Sequence, residues 1–149
     1  LKHTTPYQKS LDYYDALYAI YKDKDVPAYL ERMKRYLASL GEDANGADYA
    51  SAAQSLYYAA ASKLRPEDHR QAIAWLEKAI PGETVLMNKI NYLVMVGDSY
   101  KELKDYASAR KYYNQAYAES LQLASMEQAQ QVVQASVTYK LATLELLEK

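Results

Sequence analysis

Residues 89–123, KINYLVMVGDSYKELKDYASARKYYNQAYAESLQL, decide the fold. Apolar side chains recur at three- and four-residue spacing in both halves of this stretch, as they do on one face of an α-helix. The pattern breaks near Asp105, and aspartate is a preferred residue at the N-cap of a helix. The stretch therefore predicts two helices joined by a tight turn.

The same spacing continues through almost the whole chain of 149 residues, and it is broken by only 4 Gly and 4 Pro. It predicts seven helices and no strands. The predicted helices cover about residues 5–22, 26–40, 47–64, 66–80, 84–103, 105–123 and 125–147. Connections as short as these favour antiparallel neighbours.

Helix starts are marked by capping residues. Thr5 followed by Gln8, and Ser125 followed by Gln128, have the spacing of a capping box. Asp25 is placed to cap the second helix. We therefore expect well-defined helix starts at these three places.

Residues 89–123 also carry a regular order of large, small and aromatic positions. The pattern consists of Leu93, Val96, Gly97 and Tyr100 in the first helix, and Ala109, Tyr113 and Ala116 in the second. Two helices approach closely where glycine and alanine have no bulk, and aromatic rings fill the adjoining space. In these positions the stretch resembles the tetratricopeptide repeat family over its whole length, with Leu93 where the family has Trp and Leu121 where it often has Pro.

Two earlier stretches, at about residues 53–86 and 7–40, resemble the same repeat less closely. The stretch 53–86 matches at Leu56, Ala59, Ala60, Ala72, Leu76 and Ala79, with a mismatch at Lys63. The stretch 7–40 has the spacing of the repeat's first helix at Tyr14, Leu17, Tyr18 and Tyr21. Its second helix would carry Tyr29, Met33 and Tyr36, after a turn that must be one residue shorter than the family's. The resemblance implies an all-α, right-handed α-solenoid of three helical hairpins plus a C-terminal capping helix, in a single domain over residues 1–149.

The last predicted helix has one main apolar stripe and further apolar residues beside it. The stripe is formed by Met126, Ala129, Val133, Val137, Leu141 and Leu144. The residues off the stripe are Val132, Tyr139, Leu146 and Leu147. We expect the stripe to cover the open end of the stack, which leaves the other residues for a partner, a second copy or a linker.

Composition argues against several classes of function. The 18 Lys and Arg nearly balance the 19 Asp and Glu, so no electrostatic footprint predicts binding to nucleic acid. There is no Cys, no recognisable signal peptide and no apolar run long enough to insert in a membrane. The chain begins with Leu1, which is compatible with a processed piece, so the sequence assigns no compartment. The 17 Tyr favour a two-layer helical array with half-buried edges, and they are also compatible with a tyrosine-lined groove.

The sequence offers little for catalysis. His3 and His69 are far apart, and we expect His69, beside Glu67 and Asp68, in a solvated first helical turn rather than in a metal site. No serine has the sequence context of an activated nucleophile, and no glycine-rich loop predicts a nucleotide. We therefore expect no enzyme, no catalytic residue, no cofactor and no metal.

The resemblance implies a concave groove lined by the first helix of each hairpin. Its candidate residues are Gln54, Tyr57, Tyr58 and Ala61 in the third helix, and Asn91, Val94, Met95, Asp98 and Lys101 in the fifth. The first helix would add Asp12, Asp15, Ala16 and Ala19. The family's carboxylate clamp of Lys, Asn and Arg is not expected among these acids. A neutral or basic segment would suit the groove better.

Two functions remain open from the sequence. One is a non-catalytic protein–protein interaction module that binds a peptide or a partner helix in the groove. The other is a structural or regulatory segment of a larger chain, whose last helix forms a homodimer or links to an effector domain. The exposure of the last helix and the occupancy of the groove distinguish them.

Overall fold

The computed structural model describes residues 5–149, which contain seven α-helices and no strand. The helices are α1 (Pro6–Tyr21), α2 (Val26–Leu40), α3 (Gly46–Ala60), α4 (Pro66–Ala79), α5 (Leu86–Glu102), α6 (Tyr106–Ser120) and α7 (Glu127–Leu147). Single 3-10 turns follow α2, α3, α4 and α6. The predicted all-helical class is confirmed. The third helix ends earlier than predicted because the backbone leaves the helical region at Ala60, where φ is −146°.

Helices that follow one another pair as hairpins: α1 packs on α2, α3 on α4, and α5 on α6. The chain divides into two compact units, residues 5–79 and Ile80–Lys149. In the first unit α3 also packs against α1 and α2. In the second unit α7 packs against α6. The organisation as a single domain stays a prediction.

Three of the predicted N-caps are confirmed. Thr5 Oγ1 accepts a hydrogen bond from the Gln8 N–H at 3.1 Å, and Asp25 Oδ1 accepts one from the Ala28 N–H at 3.0 Å. Asp105 accepts both the N–H and the hydroxyl of Ser108, and these bonds lower the pKa of the Asp105 carboxyl. Each aspartate satisfies an N–H that the helix itself cannot pair.

The predicted capping box at Thr5 is wrong in part, and the one at Ser125 is wrong altogether. The Gln8 side chain donates to Asp12 at 3.0 Å, four residues further along α1, instead of returning to the N-cap backbone. Ser125 caps nothing, because α7 begins at Glu127 after a turn in which the Met126 N–H donates to the Leu123 carbonyl. A complete box does form at the start of α3, where Asn45 and Asp48 bond each other's backbone N–H.

The turns of the first and third hairpins are built alike. Lys24 and Lys104 each have a positive φ, 55° and 62°, and each is followed by the capping aspartate of the next helix. The left-handed conformation is uncommon for a residue with a side chain, so its recurrence at two corresponding turns is informative. The two hairpins therefore share local geometry as well as sequence pattern.

The core of the second unit depends on a close approach at Gly97. A Cβ atom added there would lie 2.5 Å from Tyr113 Cε1 and 2.6 Å from Tyr113 Cδ1. The Tyr113 ring is 0% exposed, and Ala109 and Ala116 on the same helix are also buried. The predicted contact of α5 with α6 at small residues is thus confirmed.

The core of the first unit is centred on Tyr29 of α2, which is fully buried. Its hydroxyl donates to the Ala52 carbonyl of α3 at 2.6 Å. Leu56 on α3, with Leu76 and the chain's one tryptophan, Trp75, on α4, extends the buried interior. Burial raises the pKa of the Tyr29 phenol because the charged phenolate would lose its hydration.

Tyr29 makes the first unit sensitive to alkali. A group whose pKa is higher in the folded state contributes stability below its unfolded pKa, here about 10, and loses it as the pH rises further. We expect the wild-type chain to lose stability faster than the Tyr29→Phe variant above about pH 10, by up to about 1.4 kcal/mol per pH unit. Urea unfolding followed by circular dichroism at neutral and alkaline pH measures this difference.

The control for the alkaline effect is Tyr58→Phe, since Tyr58 is 73% exposed. That variant should keep the pH dependence of the wild type. At neutral pH, Tyr29→Phe should lose about 1 kcal/mol with the hydrogen bond to Ala52. Parallel stability curves of the wild type and Tyr29→Phe from neutral to alkaline pH would contradict the prediction.

The packing predicted for α1 is wrong. Tyr14, Tyr18 and Tyr21 were expected at repeat positions, but all three are exposed, by 47–66%. The buried face carries Ala16, Ala19 and Ile20. Small and branched side chains fit against α2 and α3, whereas the tyrosine hydroxyls reach water.

The first and third hairpins share one spacing between their two helices. Leu17 on α1 is half-buried, and twelve positions separate it from the buried Tyr29 on α2. Twelve positions also separate Gly97 from Ala109. Counted from Leu17, the predicted repeat in the first hairpin needs no shorter turn.

Candidate functional site

The groove candidates of the first unit lie on α3. Gln54 and Tyr57 are half-buried, while Tyr58 and Ala61 are exposed. The Tyr57 ring is tilted against the His69 ring, with 6.2 Å between their centroids. Tyr58 therefore offers an open aromatic surface, whereas Tyr57 contributes to packing between α3 and α4.

The expectation of a solvated His69 is wrong, since only 6% of the residue is exposed. The neighbouring Asp68 is fully buried and accepts the Arg65 N–H at 2.8 Å and the Arg65 guanidinium at 3.2 Å. These contacts raise the pKa of Arg65. The turn before α4 is a structural cap, and over residues 5–149 no group of three or more His, Cys, Asp or Glu is placed to hold a metal. His3 lies outside the described residues.

The contribution of α1 to a groove is also corrected. Ala16 and Ala19 are 0% exposed and belong to the core. Asp12 is half-buried, and Asp15 is exposed and forms an ion pair with Arg32 at 3.4 Å. Neither alanine is available to a ligand.

The candidates of the second unit lie on α5 with unequal exposure. Asn91 is exposed, and Val94, Met95 and Lys101 are half-buried. Val94 packs against the core shared by α5, α6 and α7. The Lys101 ammonium lies 3.5 Å from the carboxylate of Glu102. Asn91 is thus the most accessible polar group of this set.

Asp98 connects three helices of the second unit. Its carboxylate accepts the Tyr113 hydroxyl from α6 and the Lys140 ammonium from α7, the latter at 2.9 and 3.2 Å. An incoming basic group would have to displace Lys140 to reach it. The contact is not evident from the sequence, because 42 positions separate Asp98 from Lys140.

Two further helix faces remain open. On α1 the row at three- and four-residue spacing consists of Tyr7, Leu11, Tyr14, Tyr18 and Tyr21, all exposed. On α7 the predicted stripe is buried at Val133, Val137 and Leu144, but Met126 is 53% exposed because it precedes the helix. The predicted remaining residues Val132, Tyr139, Leu146 and Leu147 are exposed. Each row is a surface on which another helix can pack.

A depression of about 700 Å³ lies between α2 and α4. Lys34 and Arg70 line it together with Glu31 and Glu67, so it has no dominant charge. No helix within residues 5–149 is both long enough and apolar enough to cross a membrane. Comparison of the chain with protein-family models, curated proteins and solved structures found no match.

Proposed function

We propose that the chain is a non-catalytic protein–protein interaction module, built as a tetratricopeptide-like right-handed solenoid of three hairpins with α7 as its cap. The observation that carries this proposal is that α5 has a buried face and an exposed face. Its pattern residues Leu93, Val96 and Gly97 are buried, while Asn91, at a position that the pattern does not specify, is exposed. In a tetratricopeptide stack, positions of this kind face the concave side.

Internal repetition supports the same proposal. Twelve positions separate half-buried Leu17 from Tyr29 in the first hairpin, and buried Gly97 from Ala109 in the third. The middle hairpin keeps this spacing, from Ala60 to Ala72, and both residues are buried. A helical hairpin that cannot bury its apolar face alone needs neighbouring hairpins, and three hairpins suffice for a stable stack.

The ligand that suits the exposed faces of α3 and α5 is a neutral peptide or partner helix. Tyr58 offers an aromatic ring and Asn91 an amide, both exposed. A basic ligand, one of the two kinds expected from the acids in the sequence, is less suitable, because Lys140 already neutralises Asp98. Recognition would therefore depend on shape and hydrogen bonds more than on charge.

The test is affinity capture of partners with the chain immobilised, comparing the wild type with Tyr58→Ala and Asn91→Ala. We expect both residues to act as hot spots, whose truncation weakens binding by about 2 kcal/mol or more, so the affinity for the captured partner should fall about thirtyfold. The variant Tyr57→Ala extends the test to the half-buried ring. Unchanged capture by Tyr58→Ala and Asn91→Ala would reject the proposed face.

Matched controls are available on α6. Tyr117→Ala and Asn114→Ala make the same chemical changes at exposed positions outside the proposed surface. Both should capture partners as the wild type does. Equal loss in the α6 variants would show that capture does not depend on the free faces of α3 and α5.

The alternative function is a structural or regulatory segment of a larger chain, acting through α7. The exposed row on the outer side of α7 favours it, since a helix that only caps a stack gives water a polar face. In that function, substitutions on α7 would abolish the activity of the larger protein, while Tyr58→Ala and Asn91→Ala would leave it unchanged.

A further inference from the structure

The outer face of α7 is exposed and carries no charge over residues 131–143. Its exposed side chains are Gln131, Val132, Ala135, Ser136, Thr138, Tyr139 and Ala142. The one charged residue in this span, Lys140, is paired with Asp98. The solvent side of a helix is normally charged or strongly polar, and loss of charge is characteristic of the centre of an interface.

The apolar members of this face follow the spacing of a two-helix seam. Val132, Ala135, Tyr139, Ala142 and Leu146 are separated by alternating steps of three and four residues. All five are exposed. Val132, Tyr139 and Leu146 lie seven residues apart, and so do Ala135 and Ala142. Large side chains therefore alternate along the seam with alanines, which leave room for a large side chain of a second helix.

We propose that α7 pairs with α7 of a second copy of this chain, in an antiparallel arrangement about a two-fold axis. In an antiparallel pair the two seam positions face each other. Val132 then lies opposite Ala142 of the second copy, and Ala135 opposite its Tyr139. Val132 and Tyr139 thus each meet an alanine, and Leu146 lies opposite Gln128 of the second copy. A parallel pair would instead place Tyr139 against Tyr139 and leave a gap between the alanines.

The flanks of the seam are compatible with this pairing. In the antiparallel register Gln131 faces Glu145 of the second copy, where an amide can donate to a carboxylate. Thr138 lies beside the two-fold axis and faces Thr138 of the second copy. No two like charges are opposed, and the same surface serves both chains, as a two-fold dimer requires.

The size of the surface sets the strength of the pair. Val132, Tyr139 and Leu146 are each about 70% exposed, at 69%, 75% and 71%. Two helices joined over about four turns bury roughly 1,000 Å² in total, the low end of specific interfaces. We therefore expect a weak dimer whose population rises with concentration.

Sedimentation equilibrium of the 149-residue chain tests the pair. The weight-average mass should rise from 17.0 kDa toward twice that value as concentration increases. The double variant Ala135→Glu with Ala142→Glu should stay at 17.0 kDa with unchanged circular dichroism, because it buries charge at the seam. A wild-type mass that stays at 17.0 kDa overturns the proposal and leaves this face to a different partner.

The matched control places the same charges elsewhere. Ala74 on α4 and Ala107 on α6 are exposed alanines outside the seam, and the double change to Glu should not affect the mass. If that control abolishes the dimer as fully as the seam variant does, dimerisation depends on net charge and the α7 seam is rejected.

Cross-linking tests the direction of the helices, since the chain has no cysteine of its own. A mixture of Val132→Cys and Ala142→Cys chains should be joined by a short bismaleimide, while either variant alone should not. In the antiparallel pair identical residues at these positions lie roughly 15 Å apart. Cross-linking of Val132→Cys alone overturns the antiparallel arrangement. Capture variants on α3 and α5 lie outside the seam, so the two proposals can fail separately.

Discussion

Replacing Gly97 with alanine should lower the free energy of unfolding by about 1–3 kcal/mol, although alanine is the better helix former. The added methyl would meet the Tyr113 ring at 2.5 Å, well inside van der Waals contact. The ring cannot move aside easily, because it is fully buried and its hydroxyl is held by Asp98. Urea unfolding followed by circular dichroism measures the loss.

A second glycine provides the matched control. Gly82 has nothing within 4 Å of an added Cβ, so Gly82→Ala should change stability by less than about 1 kcal/mol. A double-mutant cycle sharpens the test: in a Tyr113→Ala background the clash is gone, and Gly97→Ala should become neutral or stabilising. An equal loss in both backgrounds would show that the ring does not cause the effect.

Replacing Tyr29 with alanine should have a larger effect, a loss of about 3–5 kcal/mol. The substitution removes a fully buried ring from the contact between α2 and α3, together with the hydrogen bond that its hydroxyl donates to the Ala52 carbonyl. Both the cavity and the loss of the Tyr29 hydrogen bond destabilise the first unit. The thermal midpoint and the urea midpoint should fall together.

Tyr58→Ala makes the same chemical change at a site that is 73% exposed. It should stay within about 0.5 kcal/mol of the wild type, as surface substitutions usually do. If Tyr29→Ala lost no more than Tyr58→Ala, the buried position of Tyr29 would be contradicted. Tyr29→Phe separates the two causes, since it keeps most of the ring and removes only the hydrogen bond.

Local sequence was sufficient to predict the helices and most of their caps. Helical periodicity depends on neighbours three and four residues apart, and the N-caps at Asp25 and Asp105 depend on an even shorter range. The inner face of α1 was misassigned for a physical reason. Tyrosine is both apolar and polar, so its spacing on α1 matched a packing pattern while the smaller Ala16 and Ala19 formed the contact.

The candidate site was less predictable because its contacts are long-range. Asp98 was expected in an open groove, and nothing near it in sequence indicates that Lys140 on α7 reaches it. His69 was expected in water because its neighbours are acidic, yet the packing of α4 against α3 buries it. The Lys140 contact of Asp98 and the burial of His69 both depend on which helices pack together. That packing involves residues far apart in sequence, so one local segment does not predict it.

Trp75 gives the chain a built-in optical label. It is the one tryptophan, it lies in the first unit, and only 4% of it is exposed. Its emission should move to longer wavelength when α4 leaves the interior and water reaches the indole. A substitution within Ile80–Lys149 that lowers the helical signal without moving this emission has therefore unfolded its own unit and spared the other, and no added fluorophore is needed to see the difference.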